Sequence, residues 1–359
     1  MNYCNHGRAR LLKALCILFV LPSTTSVAAN LSTTLTTIVP ATIADDQMVS
    51  SDQLYQQSVA QLSNQPGIVS HRYQQLLGRL SQTPAWYQRD WHLLAARAYT
   101  AQKQWDQAWR SLQLADELVP QGILAAEIAL TAGFVAYQQQ YRQLARHWFL
   151  CADRFDNPPL TRAKLLLNLG TVEAFRGDFT AAARFYQQGF ELAEQHEFQQ
   201  LLPMFQNNMG TLYWRTEQYE AAVSALRQAT FGYARLQQSV SQSRAGINLL
   251  NVLVTIEDWA RYERFFLNIS RVVQQTSHTE FKIFLQIMEV VRHRLTGQGS
   301  AMTDQALLTL VGKLQSLNLQ HMSQRLLVKI GVTWEPPAVI AEPEPAAIAL
   351  VNTELRCQP

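Results

Sequence analysis

Cysteine is scarce in this sequence, four residues in 359, and two of those, Cys4 and Cys16, fall in its first stretch. There is no paired Cys-x-x-Cys, no HExxH, no glycine-rich phosphate loop and no Gly-x-Ser-x-Gly. Those gaps remove the local signatures of zinc sites, nucleotide cradles and serine hydrolases. His71, His92, His147, His278, His293 and His321 are scattered one to an element, so no metal cluster is legible. His196-Glu197 has no second histidine at helical spacing, and Glu191–Glu194 and Glu217–Glu220 read as solvated helix faces. We therefore expect no enzyme: no catalytic residue, no metal and no cofactor.

An excess of one charge sign is missing as well. The formal net charge of +3 comes from 30 basic and 27 acidic residues. Arg8, Arg10 and Lys13 supply the difference, and no acid lies in the first 28 residues. The remainder is balanced, which argues against nucleic acid, whose binding needs a basic stripe to release counterions. Long apolar runs are lacking too. Ala14 to Leu21 is far shorter than the roughly 20 residues that span a bilayer. After the basic start, and before Ser26-Val27-Ala28, that run reads as the core of a cleavable signal peptide over residues 1–28. Export is expected, most simply to a bacterial periplasm. Such a compartment permits a Cys151–Cys357 disulfide, although the spacing does not ask for one, and Cys151 by itself reads as a small core residue.

What the sequence does have is a period. Asn168-Leu169-Gly170, Asn208-Met209-Gly210 and Asn248-Leu249-Leu250 recur every 40 residues, each followed by an aromatic, Phe179, Tyr219 and Trp259. After the first two aromatics come Ala182 and Ala222, then Tyr186 and Leu226, then Gly189 and Ala229. These small and large steps are those of two helices packed closely, and a fixed period in this range marks a solenoid. Asp178 and Asp258 stand just before second helices, where a carboxylate caps free amides.

The pattern resembles the tetratricopeptide repeat, with its Leu-Gly pair and aromatic in the first helix and Ala, a large apolar residue and Pro in the second. Trp105, Ala108, Leu112, Ala115 and Pro120 follow Tyr99 at the family's spacing, and Tyr141, Leu144, Trp148 and Cys151 make a weaker copy. The period is longer than the family's usual one, and Leu250 replaces a glycine. The resemblance implies an all-α fold, a right-handed superhelical solenoid of stacked antiparallel helix pairs. The expected order is a leader at 29–50, N-terminal capping helices at 51–87, repeats at 88–276, C-terminal capping helices at 277–334 and a Pro/Ala/Glu tail at 335–359.

In this family the first helix of each pair lines the concave side, which would put Asn168, Asn208 and Asn248 in one row. Amides both donate and accept, so such a row suits an extended peptide backbone. Lys164, Thr171, Asn207, Thr211, Trp214, Arg215, Arg244 and Asn251 join the same wall, the arginines suited to a carboxylate and Trp214 to an apolar anchor. A second reading also fits: the asparagines bond helix ends or one another inside the stack. The family's carboxylate-gripping set is matched only by Asn208 and Arg244, since Leu167, Thr171 and Asn248 stand at its other places. The resemblance implies an exported scaffold or adaptor for a protein or peptide. A regulatory subunit of a membrane receptor system and a part of an envelope assembly complex stand beside it.

Overall fold

A computed structural model of the chain describes residues 51–62, 65–118, 123–299 and 302–335. The expected signal peptide, the leader and nearly all of the tail lie outside them. The described residues form fifteen α-helices: α1 Ser51–Gln61, α2 Pro66–Leu80, α3 Ala85–Ala101, α4 Trp105–Glu117, α5 Ile123–Gln138, α6 Arg142–Asp153, α7 Pro159–Arg176, α8 Phe179–Gln195, α9 Leu202–Arg215, α10 Tyr219–Arg235, α11 Ser239–Thr255, α12 Trp259–Gln275, α13 Thr279–Leu295, α14 Asp304–Gly312 and α15 Leu317–Lys329. No strand occurs among the described residues.

The turns are written in the backbone as much as in the side chains. Gly177 closes α7 with φ of 86°, Glu217 closes α9 with φ of 63° and Glu257 closes α11 with φ of 59°. The residue after each donates its amide five residues back, from Asp178 to Glu173 at 3.0 Å, Gln218 to Tyr213 at 2.8 Å and Asp258 to Leu253 at 3.0 Å. This is the left-handed C-terminal cap that uses up carbonyls a helix end leaves free. Glu197 and Gln237 repeat it between pairs, with φ of 54° and 55°. The next helix then starts at once, and Asp178 and Asp258 cap it as expected, accepting from the amides of Ala181 at 3.0 Å and Arg261 at 2.9 Å.

The chain divides into two compact units, one ending at Gln139 and the other starting at Gln140. The first holds α1 to α5 around Trp91, Leu94 and Leu112, all fully buried. Arg72 on α2 donates to Ser58 at 3.1 Å and to Gln61 at 2.6 Å, both on α1. Tyr73 shares a 2.7 Å hydrogen bond with His92 Nδ1 on α3, and burial lowers the pKa of that imidazole to about 4.

The second unit carries the 40-residue pairs, α7 with α8, α9 with α10 and α11 with α12. Where the sequence repeats glycine the helices come closest. A Cβ at Gly170 would lie 2.5 Å from the Tyr186 ring, and one at Gly210 would lie 2.5 Å from Leu226 Cγ. In the third pair Leu250 is itself fully buried, and the close approach moves to Gly246 against Ile269, at 2.9 Å. Beyond it, α13 to α15 extend the core with Phe284, Met288, Leu307, Met322 and Leu327. Glu280 at the start of α13 accepts from the amides of Gln315 and Ser316 ahead of α15. Cys151 is buried, as expected, and it is also disulfide-bonded.

Candidate functional site

The first helices α7, α9 and α11 each present a largely polar stripe at the spacing i, i+4, i+7 and i+11, broken by Phe175 on α7 and Met204 on α9. The stripes run Lys164, Asn168, Thr171, Phe175 on α7, then Met204, Asn208, Thr211, Arg215 on α9, then Arg244, Asn248, Asn251, Thr255 on α11. Helical geometry puts four such residues on one face. Side-chain hydrogen bonds join the three helices there. Asn208 Nδ2 donates to Thr171 Oγ1 at 3.2 Å, and Tyr186 OH donates to the same oxygen at 3.2 Å. Asn207 Nδ2 donates to Asn208 Oδ1 at 3.2 Å, and Asn248 Nδ2 donates to Asn207 Oδ1 at 3.0 Å.

The row therefore exists, but its bonds do not follow the 40-residue register: Asn248 reaches Asn207 and not Asn208. Asn168 takes no part, because Asn208 meets Thr171, one helical turn further on. Its Nδ2 is buried without a hydrogen-bond partner, as is Oδ1 of Asn251 at the other end. Buried amide groups left like this are uncommon and call for an explanation.

Burial divides the expected wall. Lys164, Asn207, Trp214, Asn248 and Asn251 are buried, whereas Asn168, Thr171, Asn208, Thr211, Arg215 and Arg244 are half-buried. Two expectations need correcting. Trp214 is not an open anchor: it is 5% exposed, its Nε1 donates to Thr255 at 3.3 Å, and the guanidinium of Arg325 lies 4.4 Å from its ring centroid. Arg215 is not a loose fork, since Nη1 donates to the Ala174 carbonyl at 2.7 Å and the guanidinium stacks 4.8 Å from the Phe179 centroid. Its pKa lies below the ordinary arginine range, chiefly through burial and further through Arg325 and Arg142 nearby.

Sequence reasoning missed Arg325, which sits on α15 and meets Trp214 only because the C-terminal helices fold back. It also passed over Glu173, 2% exposed, whose carboxylate accepts from Arg146 at 2.6 Å and from Arg176 at 2.7 Å. A lone acid on the inner face of a helix was the signal for that site. Among the described residues no group of three or more His, Cys, Asp or Glu side chains is placed to hold a metal ion. Nor is any described helix long and apolar enough to cross a membrane.

A family model for the tetratricopeptide repeat matches residues 205–230, which are most of α9 and the first part of α10. No curated protein sequence matches the chain. Among solved structures, aspartyl phosphate phosphatase F from Bacillus subtilis aligns with a TM-score of 0.52 at 12% identity, over 82% of this chain and 89% of that one. The apo form of RapI aligns with a TM-score of 0.50 at 11% identity, over 67% of this chain and 96% of that one. Identities so low speak for the fold alone. The chain thus carries a tetratricopeptide repeat, at residues 205–230, within an all-helical, tetratricopeptide-like stack of helix pairs.

Proposed function

We propose that this protein is an exported scaffold or adaptor that captures a protein or peptide segment along the wall formed by α7, α9 and α11. The observation that carries the reading is the amide row itself. Thr171, Asn208, Asn207 and Asn248 are locked by one another, and the half-buried Thr171, Asn208 and Thr211 form its reachable edge. A surface held rigid before binding loses little side-chain freedom when a flexible segment is laid on it. Amide groups can pair with any peptide backbone, so affinity does not require one particular partner sequence. Binding is the proposed activity, with no catalytic step.

A photo-crosslinking amino acid placed in whole cells at position 208 or 211, and as a control at the exposed position 227 on α10, tests this. Discrete protein adducts from 208 and 211 but not from 227 are expected. Adducts from 227 alone would move the site to the outer helices and overturn the reading.

A further inference from the structure

The last helix, α15, touches the ends of two first helices with a pair of cations. One face of α15 belongs to the core, where it packs on α13 and buries Leu319, Met322, Leu326 and Leu327. Arg325 and Lys329 leave that core four residues apart, and so from one side of the helix. The Arg325 guanidinium lies 4.4 Å from the Trp214 ring centroid and 4.0 Å from the Glu217 carboxylate, and Lys329 Nζ lies 2.8 Å from that of Glu257.

Glu217 and Glu257 are the left-handed residues that close α9 and α11, one repeat apart, so α15 is fastened to the same point of two successive pairs. Trp214 sits at that point. It follows Thr211 by three residues, and its Nε1 donates to Thr255, the last member of the α11 stripe. Its ring is 5% exposed, with Arg325 over one face. The four charged side chains that close this contact are themselves exposed. Ion pairs and stacked cations open to water hold weakly, so they can part while the buried leucines of α15 stay in place.

We infer that Arg325 and Lys329 form an autoinhibitory latch, which holds α15 against the ends of α9 and α11 and withholds the Trp214 ring from the segment that binds the wall. This rests on the binding function proposed above and concerns its regulation. When the latch opens, Arg325 leaves the ring, and the indole face becomes an apolar seat one helical turn beyond Thr211. The partner thus competes with a contact inside the chain, and its affinity falls with the fraction of molecules that are open.

The test places the photo-crosslinking amino acid at position 211 in whole cells and compares adduct yield per full-length chain. Arg325→Gln with Lys329→Gln removes the cations. Glu217→Gln with Glu257→Gln removes the acids and leaves at each turn a residue that, like Gln237, holds positive φ. Both pairs should raise the yield about two- to fivefold, as expected for releasing weak contacts. A gain from either side marks a latch, because a side chain that touched the partner would lower the yield when changed. Lys329→Glu should raise it as well, and adding Glu257→Lys should return it to the parent value. In the purified chain, acrylamide quenching of the Trp214 emission, taken as the difference from Trp214→Phe, should rise with the yield. Unchanged or lowered yields in both neutral pairs, or a charge swap that restores nothing, would overturn the latch and leave the proposed function standing. No adducts in the parent or in any variant would overturn both.

Discussion

Asn248 donates its amide to Asn207 across 3.0 Å, although the sequence repeat aligns it with Asn208. The bond joins side chains that are 7% and 8% exposed. Water cannot easily replace it. Asn207 is thus the joint of the row, bonded to Asn208 on its own helix and to Asn248 on α11.

Truncating the joint should matter more than truncating its neighbour. Asn207→Ala leaves two amide groups unpartnered and should lower unfolding free energy by about 1–3 kcal/mol. Asn208→Ala, where solvent reaches the site, should lose less than about 1 kcal/mol. Urea unfolding followed by circular dichroism distinguishes them, and equal losses would deny Asn207 its place.

The contact between Gly210 and Leu226 sets the spacing of α9 and α10. Gly210→Ala puts a Cβ 2.5 Å from Leu226 Cγ, and the overpacking should cost about 1–3 kcal/mol. Leu226→Ala by itself should cost about 2–5 kcal/mol, as a fully buried leucine. Because the second change removes the atoms that the first one meets, the double variant should lose less than the two losses added. Simple additivity would show that the helices had moved apart.

Backbone handedness predicts a gain at a surface turn. Gln237 holds φ of 55°, a region costing an ordinary residue about 1–2 kcal/mol. Gln237→Gly should stabilise by about 0.5–1 kcal/mol after the extra chain entropy of glycine is counted. At φ of 86° Gly177→Ala should do the opposite. Thermal melts of the two variants should shift in opposite directions.

His92 gives the first unit a pH dependence. Its ring is 6% exposed, and burial lowers its pKa from 6.5 to about 4. An unfolded chain binds this proton near its ordinary pKa while the folded one refuses it, so the contribution is whole above about 6.5 and is lost as pH falls towards 4. The loss should approach about 3 kcal/mol, and His92→Gln should remove that part of the acid sensitivity. Unfolding midpoints compared between about pH 7 and pH 4 provide the measurement, and parallel profiles for parent and variant would contradict it.

Much of the fold was legible because its determinants are local. Spacing of Asn-Leu-Gly and aromatic residues gave the helix pairs, and a carboxylate ahead of a second helix announced the caps at Asp178 and Asp258. The breaks at Glu217 and Glu257 were legible in the repeat, but their left-handed backbone was not, since no glycine marks it as it does at Gly177. In the site, the stripes on α7, α9 and α11 could be read from helical periodicity. The bonds between them could not, because which amide meets which depends on the stagger of neighbouring helices. A shift of one residue exchanges Asn208 for Asn207.

By itself, then, the sequence determined that the chain would form stacked helical hairpins, for short-range periodicity, capping and close-packed small residues leave few other ways to bury its apolar faces. Tertiary structure alone decided that Trp214 would be covered and not open, that Arg215 would lie on Phe179, and that Arg325 would arrive beside them from more than a hundred positions away in sequence. Such meetings are fixed by how helices cross and how the C-terminal ones fold back, and no local pattern encodes either.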